Sequence, residues 1–321
     1  MTIKESFNLG QGWHLMIFAI LAMLVTNAGV NDGLNIALPA ISEGAGLNYE
    51  LCLSMGTVAG FVGVAMMLVI AKFRDRFGGR KVSAALFVIF GLTYYFLFLC
   101  AANIVMYALA QCIMVSCGQG CFYLCTGPMQ SDWFPKKRGV VNGISTIGAN
   151  IGTAILAPMM TALLTFADYK TSLSVFAVAA VVLGIYAFVK LRDDPREAGM
   201  YPDNVSKEVY EKEYKQLSQH DEYVSDWTIP KMLRCKEVWL AAIVPGFITL
   251  GLLGIITQFV KRNTALGLSQ GAAVSAMTVA GLIGIIGSYA IGYLDTKIGT
   301  KKACMIYCGI FALGIACNLL A

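Results

Sequence analysis

An aspartate in a stretch otherwise suited to lipid is where this chain concentrates its chemistry. Asp32 sits in NDGLNIALPAI, residues 31–41. An ionised group inside hydrocarbon costs on the order of 2.5–3.5 kcal/mol even on lenient insertion scales, so its presence needs a reason. Desolvation disfavours the charged form of a shielded carboxyl, which could then bind a proton near neutral pH and serve a proton-coupled cycle or touch a substrate. The alternative is an outer-end residue already wetted by water, or one that caps a neighbouring helix. Asn27, Asn31 and Asn35 recur every fourth residue around it and share one helical face. Gln119, Tyr123, Thr126 and Gln130 form a second polar stripe, Thr146 and Asn150 a third, and Thr257 and Gln258 lie together near the end of a later apolar run. Each stripe can line a polar chamber or be used in hydrogen bonds between helices, and residue by residue both readings stand open.

No arrangement of side chains predicts catalysis. Only two histidines occur, His14 and His220, and no glycine-rich phosphate cradle is present, which argues against an enzyme and against ATP-driven pumping. Of the ten cysteines, Cys117, Cys121 and Cys125 mark one stripe at four-residue spacing. They read as small apolar residues that let helices approach closely, because a thiolate metal site would bury charge in lipid. No disulfide, metal or cofactor is expected.

The second feature is a repeat. KFRDRFGGRKV, residues 72–82, returns in weaker form as GYLDTKIGTKKA, residues 292–303. The copies align on Gly78 and Gly299, and each lies between two long apolar runs. An aspartate, flanking cations and a turn glycine met twice in equivalent places predict two similar halves that move against each other, with a substrate site near the midplane between them.

The elements that must position these residues follow from composition. The 321-residue chain is 57% hydrophobic and 13% charged, with a mean hydropathy of +0.68, too apolar for a soluble domain. Nine apolar runs are long enough to cross a bilayer as helices: 13–39, 53–72, 82–102, 104–132, 139–165, 171–190, 237–260, 271–294 and 303–321. The first is too long for a signal peptide and shows no small-residue cleavage site. Of the 24 Lys and Arg, all but Lys170, Lys261 and Arg262 fall on the side that holds the amino terminus. This predicts a multi-pass protein of the cell membrane with a cytoplasmic amino terminus. The net charge of +5 is accounted for by that bias, and nucleic acid is not an expected partner.

Six runs crowd into residues 1–190. A polar linker, 191–236, follows and opens with DDPREAGMYPDN, residues 193–204, whose prolines and glycine interrupt any helix. Tyr210, Tyr214 and Leu217 then fall on one face of a short amphipathic helix expected along the inner membrane surface. Residues 237–321 hold the last three runs, so the chain reads as six helices plus three, cut after the ninth.

These features resemble the major facilitator superfamily, whose members carry a loop motif G-x-x-x-D-R-x-G-R-K after the second helix. Asp75, Arg76, Gly78, Arg80 and Lys81 match it, while Ala71 replaces the first glycine and Gly79 stands where an arginine is frequent. In the second copy Gly292, Lys297, Gly299, Lys301 and Lys302 match, Asp295 comes one place early, and Thr296 takes the acidic position. GQGCFY, residues 118–123, with SDWFPKKRG, residues 131–139, is similar to the junction of the fourth and fifth helices in the oxalate/formate antiporter and monocarboxylate-transporter branches. The segments 193–204 and 226–239 are similar to stretches in the same branches.

The resemblance implies an all-α polytopic fold: a six-helix amino-terminal bundle plus the first three helices of a second. It implies that the Asp75 carboxylate meets the positive end of a helix in the opposite half, and that an arginine reaches Asp132 on the fourth helix, latching the inner gate. With Gly79 lacking a side chain, Arg80 or Arg76 would have to do so. It also implies that the first, fourth and seventh helices line the cavity, making the polar residues above the pocket candidates. Gly148, Gly152 and Pro158 on the fifth helix echo an antiporter pattern, with close packing as the plainer reading.

The expected function is secondary active transport of a small organic acid or similar metabolite by symport or exchange, with the bilayer, the solute and a coupling proton as partners. The rivals are a drug efflux pump of the same fold and a non-transporting membrane sensor. The eighth helix lacks a cation to meet a carboxylate, which weakens the anion reading. Lys261 and Arg262 could supply one, or could be solvated surface residues.

Overall fold

The computed structural model of the chain describes residues 6–214 and 228–320. Among these residues every long element is a helix, and nine helical stretches are long and apolar enough to cross a membrane. A short turn at Gly10–Gly12 leads into α1 (Trp13–Val30), followed by α2 (Asp32–Ala45) and α3 (Tyr49–Phe77). Then come α4 (Gly79–Leu99), α5 (Ile104–Trp133), α6 (Arg138–Phe166) and α7 (Tyr169–Lys190). After the connecting segment lie α8 (Lys236–Ala265), α9 (Gln270–Ile298) and α10 (Thr300–Leu320).

The first apolar run is not one continuous helix. It breaks at Asn31, whose φ of −109° and ψ of −113° are outside the helical region, and resumes as α2. The sequence explains the place: Asn31, Asp32 and Gly33 are consecutive weak helix formers, two of which compete for the backbone with their own side chains. Gly33 folds back so tightly that an added Cβ would lie 2.6 Å from Ala28 Cα, a position open only to glycine. The helix ends are better signalled. Asn48 and Asn103 cap α3 and α5 by accepting the Leu51 and Met106 N–H groups at 3.0 and 2.9 Å. Asp168 caps α7 by accepting from Lys170 and Thr171.

The chain divides into two compact units: one runs to Asn204 and takes in Val274–Lys297, and the other holds Val205–Ala273 and Ile298–Ala321. In the first unit α1 is central and approaches its neighbours through small residues, as expected where lipid supplies no hydrophobic drive between helices. Gly148 and Gly152 of α6 face Ile20 and Asn27, Gly118 of α5 faces Thr26, and Gly91 and Gly184 bring α4 and α7 backbone to backbone. Cys121 and Cys125 are fully buried in this packing and Cys117 nearly so. An aromatic column, Phe87, Phe90, Tyr94, Phe98 and Tyr107, fills the space behind α1 with successive ring centroids 5.2 to 6.3 Å apart.

In the second unit α8 lies against α10, with Gly251 facing Phe311. Arg262 is half-buried there and donates to the Asn318 side chain, so it is a bonded residue and not a freely solvated one. The amphipathic helix expected within the linker appears as a short helical stretch over Lys207–Val209 and Tyr210–Tyr214; Leu217 lies outside the described residues.

Candidate functional site

Two clusters stand on the end of the first unit that carries Gly78, here called the motif side. The first is the crossing of α6 and α9. Gly139 and Gly143 of α6 lie directly on α9: an added Cβ would approach Gly292 O to 2.6 Å at Gly139 and Ser288 O to 2.5 Å at Gly143. Further along, Gly281 packs on Ala154, and Asn150 Nδ2 donates to Ser288 Oγ at 2.7 Å and to Gly284 O at 3.1 Å. The small-residue contact therefore runs from Gly139 to Ala154 of α6 and from Gly281 to Thr296 of α9.

At its motif-side end the second copy of the repeat meets the start of α6. Thr296 Oγ1 accepts the Val140 N–H at 3.2 Å, satisfying one of the backbone donors that every helix leaves open at its amino-terminal end. The Asp295 carboxylate stands beside Gly139, where an added Cβ would collide with it. A negative charge in the first turn of α6 is favoured by the helix dipole by about 0.3–1 kcal/mol. The Ser6–Leu9 segment joins the same end: Ser6 Oγ and Tyr289 OH are 2.8 Å apart, and Phe7 stacks on Tyr289.

The second cluster is a strap made by residues 192–204. Asp193 Oδ1 accepts the Arg80 N–H at 2.7 Å, so a carboxylate sits on the positive end of α4. Gly78 makes room for it. Its φ of +84° favours glycine, and a Cβ there would collide with Asp193 Oδ2. Trp133 Nε1 donates to Arg192 O at 3.1 Å. Buried Asp203 accepts the Lys136 N–H at 3.0 Å through Oδ2, and Lys137 Nζ donates to Asp203 O at 3.1 Å and to Asn8 O at 3.0 Å. The strap thus ties the amino-terminal segment, the motif hairpin and the α5–α6 loop to one another. Asp194 within it binds Arg196 through both oxygens, and that hydrogen bonding holds its carboxyl below the usual value.

Comparison with known sequences adds the lineage. The profile of the Major Facilitator Superfamily matches residues 15–321. The chain belongs to that superfamily. It is similar to the MFS-type transporter YhjX of Escherichia coli, 23% identical over 85% of this chain and 63% of that protein. It is also similar to monocarboxylate transporter 12 of Rattus norvegicus, 23% identical over 60% of this chain and 43% of the other. With the oxalate:formate antiporter of Oxalobacter formigenes it shares 22% identity over 96% of this chain and 69% of that protein. The chain thus spans less than two thirds of the length of the first two.

Against the superfamily's motif, the two copies share a backbone but not their contacts. Gly78 and Gly299 adopt the same left-handed conformation, φ +84° and +87°, as a repeated turn requires. In the first copy Asp75 is largely exposed and pairs only with Arg74, at 3.5 Å; among the described residues no helix end meets it. It is the Thr296 position of the second copy that meets a helix end.

The arginine expectation is corrected as well. The Arg76 guanidinium stacks over Phe77 and that of Arg80 over Phe188, each 5.3 Å from the ring centre, and neither pairs with Asp132. The positive charges acting on Asp132 are those of Arg74 and Arg138. The Asp193 contact fixes the first turn of α4, and the Arg80 side chain leaves it toward Phe188. Lys81 is exposed, and Lys297 lies over Tyr293.

The polar stripes divide between the two readings left open by the sequence. Asn27 is buried and donates to Ala149 O of α6 at 3.3 Å, while Asn31 donates to Asn27 Oδ1 at 2.9 Å. Gln130 is buried and donates to Ser145 Oγ of α6 at 2.7 Å, and Asn150 bonds across to α9. Asn27, Gln130 and Asn150 hold helices together, whereas the Asn31 bond stays within its own helix. Gln119 is half-exposed and Tyr123 exposed on a turn with wide π-type hydrogen bonding, Cys121–Thr126. The side chains of Asp32, Asn35, Thr257 and Gln258 lie outside the described set. Sequence reasoning passed over Asp193, Asp203, Ser288 and Asn8. Only the acids carried a signal, standing at either end of a Pro- and Gly-rich stretch between helices.

Proposed function

We propose that this chain is part of a secondary transporter that moves a small organic acid or similar metabolite by alternating access, in symport or exchange. The observation that carries the reading is the α6–α9 crossing, in which an amide, five glycines and a serine form a contact with little side-chain bulk, closed at its end by Thr296. Such a contact can part and re-form as a rigid body, since few side chains need to repack. The substrate class is supported by the names of two relatives, a monocarboxylate transporter and an oxalate:formate antiporter.

On this reading the motif side faces the cytoplasm of a cell-membrane protein, residues 1–190 and 237–321 belong to two bundles, and residues 191–236 connect them. Asp75, Arg76, Gly78, Arg80, Lys81, Asp132, Asp295, Lys297 and Gly299 serve the gate. Asp32 is the proposed protonation site, with Asn31, Asn35, Gln119, Tyr123, Thr257 and Gln258 as candidates for the pocket wall. Arg262, half-buried and held by Asn318, is a cation available to an anionic solute on the second unit.

The test is flux in vesicles reconstituted with the full-length protein. Labelled carboxylates should accumulate when a proton gradient or an internal carboxylate is supplied. Export of a dye without carboxylate uptake would replace the proposal with drug efflux, and ligand binding without any flux would replace it with sensing.

A further inference from the structure

A groove of about 620 Å³ runs along the side of the first unit between α3, α4 and α5. Its walls are built of apolar side chains, among them Val69, Phe73 and Phe77 of α3, Ala85 of α4 and Ile113 of α5. The one charged residue that lines it is Lys81, from the first turn of α4 at the motif-side end. A second cation borders the wall, for Arg76 lies over the ring of Phe77, which is itself part of it. The nearest carboxylate along the chain, Asp75, is engaged by Arg74. Asp193 also stands on the first turn of α4, where the Arg80 N–H engages it, and among the described residues no carboxylate lines the groove, which is therefore apolar along its length with a cation at one mouth.

We propose that this groove holds one anionic phospholipid of the motif-side leaflet, an acyl chain lying between α3 and α4 and its phosphate meeting Lys81 and Arg76. The shape and charge favour this occupant for separable reasons. A volume of this size fits a bound ligand and exceeds the shallow ripple that any helical surface presents to bulk lipid. Paired cations at the interface end select a negative headgroup, whereas a purely apolar groove would take any lipid alike. The two cations belong to the first motif hairpin, so a bound lipid touches the segment between α3 and α4 directly. The inference does not depend on which solute is carried.

The experiment uses the full-length protein in vesicles doped with a photoactivatable phospholipid, bearing its reactive group on the acyl chain and either a glycerol or a choline headgroup. After illumination the labelled peptides are mapped. The phosphatidylglycerol probe should label residues 62–89 and 109–117 in excess over the phosphatidylcholine probe. Lys81→Gln and Arg76→Gln should each reduce that excess about fivefold, as the loss of one interfacial cation predicts. Lys81→Arg should keep it. Ala85→Trp should abolish groove labelling by both probes while leaving labelling on the outer face of α7 intact, which reports a folded protein. The proposal is overturned by equal labelling from the two headgroups, by an excess that survives both Gln variants, or by a groove that takes no label, as it would if a protein segment filled it.

Discussion

Thr296 and Val140 are far apart in the chain, yet the threonine hydroxyl accepts the valine N–H at 3.2 Å, so the second copy of the repeated motif caps the first turn of α6. Thr296 stands where the motif has an acid, so a neutral acceptor makes this contact. This capped end makes the first prediction. Thr296→Val keeps shape and volume but removes the acceptor, costing about 1 kcal/mol. The Val140 amide should then exchange with deuterium roughly fivefold faster, measured by mass spectrometry on peptides covering residues 138–143. Thr296→Asp should slow it and reduce flux by holding the contact closed.

Asn150 separates a structural role from a ligand role. Its amide bonds to Ser288 and Gly284, a type of contact worth about 0.6 kcal/mol between membrane helices. Asn150→Leu should change the rate of exchange transport while leaving substrate affinity within about threefold, the limit such a small energy allows. A loss of affinity in equilibrium binding, with transport otherwise normal, would return Asn150 to the pocket wall.

Gly143 has no room to grow, since an added Cβ would lie 2.5 Å from Ser288 O. Gly143→Leu should cost about 1–3 kcal/mol of the closed contact by overpacking. The variant should insert normally and keep its helical circular dichroism. A thiol at Ser288→Cys should alkylate faster in the Leu background than in the Gly background.

Asp193 at the start of α4 accepts the Arg80 N–H in an N-cap-like contact worth about 1 kcal/mol. Asp193→Ala should lower the thermal midpoint and loosen the hairpin at Gly78 to proteases. Gly78→Ala should do more damage, because it adds left-handed strain to a collision with the same carboxylate.

Acid should release the strap. Hydrogen bonds from Arg196 hold the Asp194 carboxyl below its usual value of 3.8, so the folded protein binds this proton less readily than the unfolded chain does. The contribution to stability is full above that usual value and is lost as pH falls through the lower folded value. Protease protection of residues 193–204 should therefore decline below about pH 4, where the unfolded carboxyl begins to protonate. In Asp194→Asn the decline should be smaller.

Much of the fold was legible because a bilayer leaves few choices: an apolar run of about 20 residues must be a helix whose own backbone satisfies its polar groups. The eight spans of residues 49–320 that follow α2 begin and end within several residues of the runs read from composition, except that α3 starts earlier, at Tyr49; α6 is a single long helix through Pro158. The break at Asn31 was not anticipated, although Asn-Asp-Gly is a sequence signal for it. Polar stripes were legible as stripes. Their use was not, since an amide every four residues looks the same whether it faces a solute, as Gln119 could, or a neighbouring helix, as Asn27 and Gln130 do.

The sequence by itself determined that this chain spans a membrane, that its turn motif is used twice, and which superfamily it joins, because hydrophobic length and glycine conformation are properties of local stretches. Only the tertiary structure decided the partners: that Thr296 and not Asp75 meets a helix end, that Arg80 turns to Phe188 and not to Asp132, and that Asp193 and Asp203 fasten the strap. Those choices depend on which helix faces come together across long stretches of chain. Burial, hydrogen-bond geometry and charge settle that choice jointly, and no short window of residues contains it.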